Sequence, residues 1–281
     1  MMLHPILVSM RLIWVFWLVF LSTAQALADQ SAGYQVKGLQ AFDNEQQTKL
    51  RAWLSYAVSA TQNTLGPYPF DMQLVLHPRK ASQPVPWANT WREGPQRVHF
   101  YVDARFPQQR FIDDWTAYHE LSHLAIPYLG SWNSWFAEGF ASFMQYQIMA
   151  GVNLLDMSPA EAYQGKIAPQ VRWYNSEYSA AAVARRLMKN GRYPAAYWGS
   201  AWFFVVADRQ LQQDYGKSLT QLVARYQQCC RMTDHNLEQV LNSWDALLEK
   251  PLFVPLYQEF ENTPAKQFFQ QWFIAEDSSG N

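Results

Sequence analysis

The sequence predicts an α+β fold, with a small N-terminal sheet packed on the first helix that follows it and a mostly helical second half. Three observations predict it. Two segments alternate with period two: Asp71 to His77, with Met72, Leu74 and Leu76 on one face, and Arg97 to Asp103, with Val98, Phe100 and Val102 opposed to His99 and Tyr101. From Phe111 onward apolar residues recur instead at helical spacing. Strands therefore come first and helices follow, which is the pattern of a segregated α+β domain. The chain's 281 residues, 49% of them hydrophobic, suffice for one large domain with a substantial core.

The N-terminus reads as an export signal over residues 1–28. Arg11 precedes the apolar run Leu12 to Leu21, and Ala26-Leu27-Ala28 supplies small residues for cleavage. The run is short for a membrane span, which needs about 20 apolar residues. The expectation is a periplasmic or secreted chain from Asp29, with no stable membrane insertion after cleavage. Residues 29–281 then form one domain: 29–110 with a helix and an edge-strand sheet, and 111–281 helical. Asn44 to Thr64 predicts a helix, since Leu50, Trp53, Leu54, Ala57 and Val58 share a face and Gly66-Pro67 ends it. Pro78 to Pro95 reads as a Pro-rich loop carrying Trp87 and Trp91. Asp113 or Asp114 caps a helix running to Ile126 before Pro127, and Ser134 caps the next, whose apolar face holds Phe136, Phe140, Phe143 and Met144. Further helices are expected at Ser179–Lys189, Ala195–Gln213, Leu219–Gln227, Leu237–Glu249 and Ala265–Phe273. The chain's two cysteines, Cys229 and Cys230, are neighbours; a bond between them would strain the peptide, so they are expected to be structural or incidental.

The residues that carry chemistry lie on the first two of the later helices. His119-Glu120-Leu121-Ser122-His123 places two imidazoles one helical turn apart on one face, where both can bind one metal ion. Glu120 sits beside that face, within reach of a water on the metal, and so is the candidate general base. Hydrolytic zinc sites take three protein ligands and keep one position open. Glu138, after 14 intervening residues and in the first turn of the next helix, is the candidate third ligand. A carboxylate in a first turn is also favourable in its own right.

His119 to His123 followed by Trp135-Phe136-Ala137-Glu138-Gly139-Phe140-Ala141 resembles the gluzincin zinc metallopeptidases, most closely the catalytic domain of the aminopeptidase N and glycyl aminopeptidase branches. The resemblance implies a thermolysin-like catalytic domain, one Zn2+ per chain on His119, His123 and Glu138, and Glu120 as general base. Tyr197-Trp198-Gly199-Ser200-Ala201 is similar to those branches' tyrosine motif, which implies Tyr197 as the phenol at the oxyanion. Phe268-Phe269-Gln270-Gln271-Trp272 is similar to their closing helix. The sequence departs from the branches in a shorter gap to Glu138, in Trp198 where the tyrosine motif has lysine, and in lacking a G-x-M-E-N segment before the zinc helix.

The implied activity is zinc-dependent hydrolysis of peptide bonds in a peptide or protein substrate, with Arg97 to Asp103 as an edge strand for an extended substrate. A cell-envelope peptide- or glycan-binding protein with an inert metallopeptidase-like fold, and a zinc amidase on a non-peptide amide, fit the same residues. The 22 basic and 23 acidic residues leave no basic field for nucleic acid. His77, His99 and His235 lack ligand spacing. Trp87, Trp91, Trp132 and Trp135 are candidates to line a cleft, and Glu177 and Arg172 to touch substrate.

Overall fold

The computed structural model describes residues 33–271; the expected export signal and Trp272 of the closing motif lie outside the described residues. β1 (Tyr34–Lys37), β2 (Met72–Pro78), β3 (Trp87–Trp91) and β4 (Gln96–Val102) form one mixed sheet in the order β1-β2-β4-β3. β1, β2 and β4 run parallel, and β3 pairs antiparallel with β4, Thr90 opposite Val98. The predicted alternation holds. Met72, Leu74, Leu76, Val98, Phe100 and Val102 are buried inward, while His77, His99 and Tyr101 take the outer face.

Two expectations fail at this sheet. β4 is interior rather than an edge, because the segment read as a Pro-rich loop supplies a further strand, β3, and that strand has the free edge. The short hairpin from Arg92 to Pro95 makes the pairing, a contact that periodicity within one segment does not display. β1 and the helices at Gln108–Ile112, Pro159–Ile167 and Phe253–Asn262 were likewise not expected.

The helix α1 (Asn44–Leu65) starts on a capping box, with Asp43 accepting from the Gln46 N–H and the Gln46 side chain accepting from the Asp43 N–H. Its face of Leu50, Trp53, Leu54, Ala57 and Val58 is buried, and Trp53 meets Phe100 of β4 edge-on at 5.2 Å. After the short α2 (Gln108–Ile112) comes α3 (Thr116–His123), with Asp114 accepting from the Thr116 N–H at 2.9 Å. The whole of α3 is buried, so the carbonyls of its last turn need partners from elsewhere. Tyr68 Oη donates to Leu121 O at 2.7 Å, Arg92 Nη1 to His123 O at 3.3 Å and Arg231 Nε to Leu124 O at 2.9 Å.

The second half is helical: α4 (Ser134–Gly151), α5 (Pro159–Ile167), α6 (Ala180–Lys189), α7 (Tyr193–Tyr215), α8 (Leu219–Cys229), α9 (Leu237–Ala246), α10 (Phe253–Asn262) and α11 (Ala265–Phe268). Ser134 is the first residue of α4 rather than its cap; Asn133 holds the cap position and the Ser134 hydroxyl donates to Ser131 O. Trp135, Phe136, Phe140, Phe143 and Met144 of α4 are buried. Cys229 and Cys230 are bonded to each other, contrary to the expectation. The pair sits where α8 ends, and Cys230 has left helical geometry (φ −131°), so the helix does not constrain the bond. Among the described residues no helix is long and apolar enough to cross a membrane.

Candidate metal centre

α3 and α4 lie against each other, and the three expected ligands meet between them. The His119 and His123 rings are 4.9 Å apart and nearly perpendicular. Glu138 Oε2 is 3.2 Å from His119 Nε2 and 3.5 Å from His123 Nε2. A tetrahedral ion with bonds of 2.0–2.1 Å has donor–donor edges of about 3.3–3.4 Å. The two measured separations bracket that value, so each imidazole nitrogen stands about one such edge from the Glu138 oxygen. Two imidazole nitrogens and one carboxylate oxygen also match the donor set of hydrolytic zinc, and all three residues line the same cleft.

Glu138 and His123 are shifted towards the charge states that ligation needs. Burial pushes the Glu138 carboxyl up, but His123 and His119 outweigh it and hold the group well below the ordinary carboxylate range, so it is ionised. Burial pushes His123 down towards the neutral form; burial acts the same way on His119, but the bond to Glu138, the Glu138 and Glu120 charges and the bond to Gln145 together outweigh it and raise the group. His119 Nδ1 donates to Gln145 Oε1 at 3.0 Å, which leaves Nε2 directed at Glu138.

Glu120 follows His119 by about 100° around the helix and so points beside the ligand face rather than into it. Its Oε2 accepts from Thr90 Oγ1 at 2.7 Å, and the same hydroxyl lies 2.8 Å from Glu120 O. Tyr197 comes from α7; its ring lies 6.2 Å from that of His119 at 19°. Burial, with the Glu138 and Glu120 charges, pushes the phenol far up, so Tyr197 stays a donor. All five residues line one cavity of about 360 Å³, together with Thr90, Arg92 and Trp115.

Two glycines permit close packing around α7. A Cβ on Gly139, next to Glu138, would sit 2.7 Å from Ser200 C and Cβ, and one on Gly199 would sit 2.1 Å from Tyr174 Cε2. Gly139 thus lets α7 close on α4 beside Glu138, and Gly199 makes room for the Tyr174 ring against α7.

No protein-family model matches the chain, and no curated protein matches it. Among solved structures it is similar to the M1 zinc metallopeptidase from Deinococcus radiodurans, with a TM-score of 0.41 and 14% identity over 78% of this chain and 43% of that one. The chain therefore spans less than half of that protein's length.

The other sequence candidates disperse. His77 Nε2 and His99 Nδ1 are joined at 3.0 Å on the outer face of the sheet. The ring centroids are 5.3 Å apart with planes at 10°, as for two imidazoles set end to end. His235 lines a different cavity, beside Arg231. Trp87 lines the cleft, but Trp91 is exposed against His99. Trp132 lies exposed under Arg185, and Trp135 is fully buried, stacked on Phe260 at 4.6 Å. Glu177 pairs with Lys266, and Arg172 lies over Trp173. Phe269 packs on Tyr174 at 4.5 Å. Sequence reasoning missed Thr90, Arg92 and Gln145. Only Gln145 left a local signal, as a polar residue two helical turns beyond Glu138 on a helix otherwise rich in apolar side chains.

Proposed function

We propose that this chain is an exported zinc peptidase that hydrolyses peptide bonds by metal-assisted attack of water. The observation that carries the reading is the spacing of the three donor atoms, 3.2 and 3.5 Å from the shared Glu138 oxygen, with Glu120 beside them in the same cleft. His119, His123 and Glu138 would hold zinc, which would supply Lewis-acid polarisation and a water nucleophilic at neutral pH. Glu120 takes the proton from the attacking water and delivers it to the leaving amine. Tyr197 donates its phenolic proton in a hydrogen bond to the oxygen of the scissile carbonyl, where charge develops. The free edge of β3 borders the cleft through Trp87, Ala88, Asn89 and Thr90 and offers main-chain groups to an extended peptide, which favours a peptide over a compact amide.

The test is metal analysis combined with a diverse peptide mixture, digested with and without a chelator. One zinc per chain is expected, with cleavage abolished by the chelator and restored by zinc. Glu120→Gln should keep its zinc and lose at least about 10²-fold in turnover. A zinc-free chain after loading, or a fully active Glu120→Gln, overturns the proposal.

A further inference from the structure

Arg92 follows β3 directly and forms part of the wall of the zinc cleft. Its guanidinium is only partly committed. Nη1 donates to His123 O at 3.3 Å, while Nε is shut off from solvent and has no hydrogen-bond partner. Among the described residues no ion pair includes Arg92. The Tyr128 ring lies beneath it at 6.0 Å. Arg231, across a second cavity of about 310 Å³ that Arg92 also lines, differs in this respect: its Nε is spent on Leu124 O and its Nη2 on Gln96 Oε1.

Withdrawing a guanidinium from water is costly unless an anion compensates it. Glu138 and Glu120 are near enough to act on Arg92 electrostatically, but both have other work, Glu138 against the two imidazoles and Glu120 with the reacting proton. A doubly charged cation on the ligands would offset both carboxylates, leaving the Arg92 charge unmatched within the cleft. The loaded chain would thus keep a partly dehydrated positive charge in the wall of the cleft.

We propose that Arg92 is a specificity-determining residue that receives a substrate carboxylate, so that the cleft selects peptides carrying an anionic group close to the cleaved bond. This rests on the peptidase reading, but it concerns recognition and can be measured without turnover. The carboxylate has two sources, a free C-terminus or an acidic side chain, and both meet the guanidinium by the same charge-assisted hydrogen bond.

The experiment uses two pairs of short peptides, one with a free C-terminus against its amide and one, blocked at both ends, with an internal glutamate against glutamine. Binding is measured by calorimetry on the zinc-loaded chain in the Glu120→Gln background, and cleavage on the unaltered enzyme. At least one anionic peptide is expected to bind about tenfold more tightly than its neutral twin. Which pair shows the gap identifies the source of the carboxylate. Arg92→Gln should erase the gap with zinc content unchanged, and Arg92→Lys should keep part of it. Equal binding within both pairs, no binding of any peptide, or a gap that survives in Arg92→Gln overturns the proposal; the comparison of twins on an unaltered Arg92 needs no variant at this position to fold. A binding gap without cleavage would remove the peptidase reading and leave Arg92 its role. Cleavage without a gap would do the reverse.

Discussion

Gly139→Ala tests whether the close crossing of α4 and α7 assembles the site. The added Cβ would stand 2.7 Å from Ser200 C and Cβ and 2.8 Å from Ser200 O. Carbon atoms settle at about 3.5 Å or more, so the shortfall is about 0.8 Å, and two of the three atoms struck are backbone atoms that cannot rotate away. Overpacking of this kind costs about 1–3 kcal/mol, and exchanging glycine for alanine within a helix returns about 0.5–1 kcal/mol. The expected net loss is about 1–2 kcal/mol, or a fall in Tm of about 2–8 °C for a domain of this size. The functional effect should be selective. All three ligands sit on α3 and α4, whereas Tyr197 rides on α7, so zinc content should hold while kcat falls by about 10–100-fold as the phenol is displaced. Gly165→Ala is the control: nothing lies within 4 Å of its Cβ position in α5, and it should stabilise by about 0.5–1 kcal/mol. Thermal unfolding of both variants, zinc analysis and turnover on one peptide decide the matter. A Gly139→Ala chain as stable and as active as its parent would refute the argument that helix approach assembles the site.

Three further outcomes are expected. Gln145→Leu removes the acceptor that orients His119 and should weaken zinc binding by about 10–100-fold in competition with a chromogenic chelator, with the fold intact by circular dichroism. Thr90→Val deletes the hydroxyl that holds Glu120 Oε2 and should lower kcat with KM and zinc content unchanged, while Thr90→Ser restores it; equal loss in both variants would point to packing instead. The Arg105 side chain beside Asp103, with the Ala81 and Arg105 N–H groups, holds the Asp103 carboxyl far below its ordinary value of 3.8. Below about pH 4 the unfolded chain therefore takes up a proton that the folded chain does not. The contribution of this group is complete above that range and is lost as pH falls through it. Urea unfolding at pH 5 and pH 3 should show that loss in the parent and less of it in Asp103→Asn.

How legible each part was follows from the range of the interaction that fixes it. The spacing of His119 and His123 and the apolar stripes of α1 and α4 are set within a few residues and appear where the sequence places them, whereas Glu138 falls in the second turn of α4 rather than the first, because the helix already begins at Ser134. Local signals also existed for α5, where Ser158 and Glu161 form a capping box with Pro159 at the first position. No such signal existed for α10: its first N–H groups, those of Leu252, Phe253 and Val254, are taken by Asp245, from the preceding helix. β3 is the most consequential case. Its inward positions hold Ala88 and Thr90 and its outward ones Asn89 and two exposed tryptophans, so no apolar alternation marks it. Pairing with β4 makes it a strand, and packing against α3 turns Thr90 onto Glu120. The ion-holding chemistry is thus written in helix periodicity, which a single segment displays. The groups proposed to aim the base and to choose the substrate, Thr90 and Arg92, stand in and directly after a strand that exists only through its neighbours. Substitutions along Trp87–Arg92 should accordingly change turnover and preference more than zinc content, while those at His119, His123 and Glu138 should remove the zinc and the activity together.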